Sequence, residues 1–381
     1  MNRLVLTAVG GALDDTVSLD VGPEGSPGVD DVVIAVEAAP INNADVLFAA
    51  GWFGIYPQVP AAMGAEGVGR IVEAGSQVDP ALVGRRVLIL PTFHYGTWAT
   101  RTVVAARNVI PVAEQADVLQ LAMLSVNPAA AYALLNDFVP PRPGDWVGFN
   151  LANSAVGHYL IALARRAGIK TLAVVRRKDA ADEVRQLGAD LVVLDGDGLK
   201  ERVAEALRGG SLRVLFEGTG DSGQVAQLVP AVEDGGSVIA FAAVTGQAPA
   251  VPLPDLIYRG ISLRGFYILN WIRDTPRERL ERVYSELAEL VEHGAISAVV
   301  EATYPLDQYQ QALRHAQKNA RTGKVLFIPN GSPAKLLSES LLNAMLLVYP
   351  DSGHGSLFQF HDSFTRQAAA FLASDSPFAP S

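Results

Sequence analysis

The sequence predicts an α/β protein in which a β-rich domain adjoins a doubly wound parallel sheet, with a short C-terminal extension. Three observations carry this expectation. At 381 residues the chain exceeds what one hydrophobic core usually serves. The first 120 or so residues hold short β-type runs broken by Gly and Pro. From Trp146 onward, strands that are apolar along their whole length alternate with helical stretches, the pattern of parallel strands buried on both faces.

In the first region, residues 31–37, 69–75 and 86–90 read as strands. A helical pattern follows over 118–139, and Pro140-Pro141-Arg142-Pro143-Gly144 ends it. The alternating region then takes strands at 146–150, 171–175, 191–194, 214–217 and 236–241, with helices over 155–167 and about 180–187. Helix and strand return over 280–327, and Glu301-Ala302-Thr303-Tyr304-Pro305-Leu306 is expected to rejoin the first domain. The expected domains are thus 1–120 with 298–330, then 121–297, and an extension at 331–381. No internal repeat is present.

Composition narrows the function classes. Nearly half the residues are hydrophobic and 18% charged, enough to bury a sizeable core. The net charge of −10 and the absence of a large Lys/Arg cluster argue against nucleic-acid partners, because phosphate contacts need such clusters. No apolar run approaches the roughly 20 residues of a membrane span, and residues 1–15 lack the apolar stretch of a secretion signal. A cytoplasmic protein acting on a small molecule is the expectation. There are no cysteines, so disulfides, thiolate nucleophiles and Cys-built zinc sites are excluded.

Strand 146–150 runs into Leu151-Ala152-Asn153-Ser154-Ala155-Val156-Gly157 and a helix. A small-residue turn there lets backbone N–H groups and the helix N-terminus face a pyrophosphate. Of the usual three glycines only Gly157 stands in place, so a tight strand-to-helix turn without a ligand is the competing reading. The next strand ends in Arg176-Arg177-Lys178, where an NAD-binding protein places an acid for the ribose 2′-hydroxyl. Basic residues there suit a 2′-phosphate, hence NADPH over NADH.

Residues 1 to about 330 resemble the zinc-free medium-chain dehydrogenase/reductase superfamily, in its 2-enoyl thioester reductase-like and quinone oxidoreductase-like branch. The matching stretches include Ala39-Pro40-Ile41-Asn42-Asn43-Ala44-Asp45, Gly64-Ala65-Glu66-Gly67-Val68-Gly69, Ser125-Val126-Asn127-Pro128, Ala152-Asn153-Ser154-Ala155-Val156-Gly157 and Gly323-Lys324-Val325-Leu326. The resemblance implies a GroES-like domain joined to a Rossmann domain, NADPH as cofactor and a homodimer. It implies that Asn127, Asn153, Ser154, Ala155 and Val156 lie along the cofactor, with the 2′-phosphate on Arg176 and Arg177. It further implies that Lys324 reaches the cofactor from the returning strand, that Asn42 lines the nicotinamide end, and that Gly265-Phe266 and Trp271 wall an acyl pocket. Zinc-dependent relatives carry a histidine where Ala65 stands, so hydride transfer without a metal is expected.

Two family positions differ. Phe53 stands where the enoyl reductases carry a tyrosine, and Ala130 where they carry a threonine. Losing one such donor commonly costs about 10²–10³ in rate. Tyr56 and His94, beside these motifs, are candidate replacements. The expected function is NADPH-dependent reduction of the activated C=C bond of a 2-enoyl thioester or enone. The alternatives are an NADPH:quinone-type reductase and a non-catalytic NADPH-binding sensor. Residues 341–373 resemble the end of an α/β-hydrolase around Gly353-His354-Gly355, but no Gly-x-Ser-x-Gly elbow exists to serve it.

Overall fold

A computed structural model describes residues 1–331, apart from 24, 139, 243, 319 and 320, together with the helical residues 365–368. The resemblance of the C-terminal extension to a hydrolase falls almost wholly outside these residues.

The first strand, β1 (Asn2–Leu6), is followed by the short α1 (Leu13–Thr16), β2 (Val17–Val21), β3 (Asp31–Pro40) and α2 (Asn43–Ala49). Then come β4 (Ala61–Ala62), β5 (Gly67–Ala74), β6 (Arg86–Ile89), β7 (Arg101–Ala105) and β8 (Val109–Pro111). β1 pairs with β2 and β4 in a small sheet, while β3 pairs antiparallel with both β5 and β7. β3 is buried along nearly its whole length because it is central to its sheet.

The single helix expected over 118–139 is broken into α3 (Val118–Ala122), α4 (Asn127–Ala133) and a wider π turn over Leu134–Phe138. Pro128 is the reason. It has no N–H to give to residue 124 and its ring clashes with that carbonyl, so the helix restarts there. The break frees the Val126 N–H, which donates to Glu66 Oε2 at 2.8 Å.

The alternating region is β9 (Trp146–Phe149), α5 (Ala155–Arg166), β10 (Lys170–Val175), α6 (Lys178–Gln186), β11 (Leu191–Leu194) and α7 (Leu199–Leu207). β12 (Leu212–Glu217), α8 (Ser222–Leu228), β13 (Val232–Ala240), α9 (Leu253–Tyr258) and β14 (Ser262–Gly265) complete it. All five pairings are parallel, in the order β11-β10-β9-β12-β13-β14. Strand order reverses between β9 and β12, and ligands bind in the crevice at the carboxyl ends of such a switch point.

After α10 (Ile268–Asp274) and α11 (Arg277–Glu292), the chain returns through β15 (Val300–Tyr304), α12 (Tyr309–Ala316) and β16 (Lys324–Phe327). β16 pairs antiparallel with β3, so Leu326 faces Pro40 across the ladder. One continuous apolar core runs from Ala38, Val68 and Leu88 through α3 and α4 to the parallel sheet, and it couples the two sheets mechanically. Among the described residues no helix is long and apolar enough to cross a membrane.

Candidate active site

The turn after β9 is built as an anion cradle. Ser154 caps α5, its Oγ accepting the Gly157 N–H at 3.2 Å, so the first N–H groups of the helix stay open beside its positive end. Gly157 is obligatory: a Cβ there would lie 2.3 Å from the Ala152 carbonyl oxygen. This is the glycine that lets helix and strand pack closely. The other two glycine positions of the G-x-G-x-x-G spacing are taken by Ala152, which is buried, and Ser154, which is half-buried and supplies the cap.

Next to the cradle is a cavity of about 340 Å³ whose lining includes Asn153, Arg176, Arg177, Thr219 and Gln224. The two arginines differ. Arg177 is paired with Asp179, Nε to Oδ1 at 3.0 Å. Arg176 has no ion-pair or hydrogen-bond partner among the described residues, so its guanidinium remains available to a ligand in that cavity.

The floor of the crevice is a buried polar knot. Asn150 Nδ2 donates to Gln224 Oε1 at 2.7 Å and to Glu217 Oε1 at 3.1 Å, and its Oδ1 accepts the Gly218 N–H at 2.7 Å. Glu217 Oε1 also accepts from the N–H groups of Thr219 and Gly220. Its Oε2 is buried without a partner among the described residues. This knot fixes Thr219 and Gln224, two walls of the cavity. Sequence reasoning missed it, though an acid ending the apolar run Val214-Leu215-Phe216-Glu217 was a usable signal.

A second polar cluster forms where the first domain meets α4 and β16. Asn42 Nδ2 donates to Glu66 Oε1 at 2.7 Å, while its Oδ1 accepts from Lys324 Nζ and, at 3.4 Å, from Asn127 Nδ2. Asp45 Oδ2 accepts the Asn42 N–H at 2.8 Å and Oδ1 the Ala65 N–H at 2.9 Å. Asp45 and Glu66 are fully buried. Burial pushes the Asp45 carboxyl up to about 7, against the backbone amides and the Lys324 charge that hold it down. Burial likewise raises Glu66 to about 7 and lowers Lys324, each opposed by the other's charge. Asn42, Asn127 and Lys324, each expected on the coenzyme, thus meet in one cluster. Asp45 and Glu66 were given no role from sequence, although Asn42-x-x-Asp45 is the spacing of a capping box, which α2 indeed has.

The remaining candidates do not join this cluster. Phe53 sits in a file of rings, 4.8 Å from Phe93 and 5.5 Å from Tyr267 between centroids. Tyr56 is 64% exposed. His94 is exposed as well and opens onto a surface groove with Arg3, Asp20 and Pro60, so neither residue faces the crevice polar groups. The Trp271 indole N–H donates to Asp137, which also pairs with Arg279. Asp137 is ten residues beyond Asn127 along the α4 segment, about 15 Å at helical rise.

Comparison with known proteins places this geometry. Residues 28–114 match the alcohol dehydrogenase GroES-like domain, and residues 155–289 match the family described as zinc-binding dehydrogenase. The chain is 30% identical over 309 residues to the mitochondrial enoyl-[acyl-carrier-protein] reductase of Xenopus tropicalis, spanning 79% of this chain and 88% of that one. The corresponding Caenorhabditis elegans protein is 33% identical over 293 residues, spanning 75% of this chain and 83% of that one. The chain belongs to the medium-chain dehydrogenase/reductase superfamily. The Escherichia coli quinone oxidoreductase complexed with NADPH shares the fold, with a TM-score of 0.77 at 22% identity over 86% of this chain and all of that one.

The zinc in that superfamily description does not fit the donors found here. Both oxygens of Asp45 and of Glu66 already accept N–H groups, Lys324 adds its positive charge to the same cluster, and Ala65 offers no ligand. Among the described residues no three His, Cys, Asp or Glu converge, whereas a catalytic zinc takes three protein ligands. The coenzyme does fit: the Gly157 cradle is open, and unpaired Arg176 lines the adjoining cavity.

Proposed function

We propose that this protein reduces the activated C=C bond of a 2-enoyl thioester or enone with NADPH, without a metal. The observation that carries the coenzyme part is Arg176, an unpaired guanidinium lining a cavity at the end of the second strand of the switch crevice. A 2′-phosphate is the ligand group for which a cation at that strand end is suited. The likeness to enoyl-[acyl-carrier-protein] reductases supports the substrate class.

When bound, NADPH would supply the hydride. The chain's own residues do the rest. The first N–H groups of α5, at Ala155 and Val156, would hold the pyrophosphate beside Ser154, and Arg176 the 2′-phosphate. Lys324, held by Asn42 and Glu66, brings one positive charge to the domain junction, where it would draw the dinucleotide against the first domain. The apolar rings of Phe48, Phe53 and Phe93 exclude water on that side. The quinone alternative uses the same coenzyme cradle and differs only in what the outer pocket accepts.

A homodimer belongs to the same reading. Among the described residues β14 pairs only with β13 and so presents an open edge, with Leu253, Ile257, Tyr258 and Leu263 exposed around it. Such an edge is a template for strand pairing between two copies.

The test is NADPH oxidation, followed by absorbance, against trans-2-enoyl-CoAs, enones and quinones after NADPH binding has been measured by fluorescence. Turnover of enoyl-CoA is the expected result. Turnover of quinones alone would replace this reading with the quinone reductase, and binding without turnover of any acceptor would overturn it in favour of a sensor.

A further inference from the structure

The loop after α2 reaches across to the parallel sheet at two points. The Trp52 ring approaches Gly246, where an added Cβ would lie 3.4 Å from it. Tyr267, the N-cap of α10, donates its phenolic O–H to the Phe53 carbonyl at 2.8 Å, and its ring meets the Phe53 ring edge-on at 66°. Gly246 and Tyr267 follow β13 and β14, so both contacts occur at the carboxyl end of the sheet, the end on which the crevice opens. Leu269, two residues on, packs against the cores of both domains.

Five of the other tyrosines are tied to other partners or exposed. Tyr284 donates to the Ser125 carbonyl, Tyr304 pairs with His315, Tyr95 accepts from Asn108, and Tyr56 and Tyr258 are exposed. Tyr267 is half-buried, and its partner is an uncharged carbonyl on a loop with Gly51 and Gly54 in the left-handed region. Exchanging that acceptor for a ligand carbonyl replaces one neutral hydrogen bond by another, at little net cost. Once the ligand oxygen carries charge, the bond becomes about twice as strong.

We infer that Tyr267 is the hydrogen-bond donor to the substrate carbonyl, standing in from the second domain for the hydroxyl that Phe53 lacks. This rests on the proposed reductase reading. As hydride adds to the β-carbon, the C=C pair moves into the bond between the α-carbon and the carbonyl carbon, and the carbonyl pair moves onto oxygen. Tyr267 keeps its proton and donates to that oxygen. The pair then returns to the α-carbon, which takes a proton from water, and NADPH leaves as NADP⁺. Burial pushes the Tyr267 phenol up to about 12, so it holds its proton throughout the neutral range.

The experiment compares the native protein, Tyr267→Phe, and Tyr267→Phe combined with Phe53→Tyr. It reads kcat on crotonyl-CoA, the NADPH dissociation constant, and the infrared carbonyl stretch of crotonyl-CoA bound without NADPH. Tyr267→Phe is expected to lower kcat about 100-fold, leave NADPH binding unchanged, and return the lowered carbonyl stretch towards its free value. Phe53→Tyr, which restores a phenol on the same wall, is expected to recover part of the rate. An unaltered kcat and stretch in Tyr267→Phe, with changes only in KM or Tm, would overturn the donor role and leave the reductase standing. A native protein that lowers the stretch but never turns crotonyl-CoA over would overturn the reductase and leave the donor. An unshifted stretch in the native protein overturns the donor role whatever the activity.

Discussion

The two ends of the crevice are built from opposite materials. The coenzyme-tail end is local and open: one turn, one cap and one unpaired arginine, all within residues 151–177. The domain-junction end is assembled from α2, β5, α4 and β16, and its charges are buried against one another. Charge at the open end costs little until a ligand arrives. Charge at the buried end is costly unless it is paired or removed by a proton, because an unpaired ion in a low-dielectric interior is strongly unfavourable. On the proposed reading, the difference teaches that Arg176 would be a binding residue almost purely, whereas Lys324 would be a binding residue and a structural one at once.

Substitution at each end tests this contrast. The largest effect is expected for Lys324→Met, which leaves Asp45 and Glu66 without their cation. Breaking such a buried cluster costs about 3–5 kcal/mol. The loss depends on pH with a definite sign. Both carboxyls are raised in the folded state to about 7, so their contribution to stability is fully present below their ordinary values near 4 and is lost as pH rises through about 7. The variant should therefore lose most stability at about pH 8 and little at about pH 5, where the folded state holds both protons. Urea unfolding at the two pH values measures this, and equal losses at both would dissolve the contrast.

Arg176→Ala comes next. One charged hydrogen-bonding contact corresponds to about 10–100-fold in affinity, so NADPH should bind that much more weakly while NADH and the unfolding midpoint barely move. Fluorescence titration with both coenzymes decides it; an equal loss for each removes the 2′-phosphate assignment. The smallest effects are expected for His94→Ala and Tyr56→Phe, exposed positions that belong to neither end. Each should change kcat/KM by no more than about twofold. A larger loss in either would mean that the substrate reaches well outside the crevice.

The legibility of the sequence follows the same division. The parallel sheet could be read because each strand is a continuous apolar run, and the coenzyme turn because Ser154, Gly157 and Arg176 are near neighbours. Asn42 and Lys324 are 282 residues apart, and no local periodicity joins them; only the family resemblance brought them together. Asp45 and Glu66 escaped because a carboxylate in a loop motif reads as solvated unless its burial is known. The break at Pro128 was visible in the sequence, yet the apolar pattern over 118–139 outweighed it. Tyr56 and His94 lie beside family motifs along the chain, while the phenol that reaches Phe53 comes from residue 267, across the domain boundary.

The place of Lys324 on β16 also bears on the order in which the molecule can be made. A ribosome delivers Asp45 and Glu66 about 280 and 260 residues before Lys324, an interval of roughly ten seconds to a minute at ordinary elongation rates. Throughout it the nascent first domain lacks both β16, which pairs with the end of β3, and the cation for its two acids. The domain begun first is therefore finished last, after the parallel sheet inserted within it has already been synthesised.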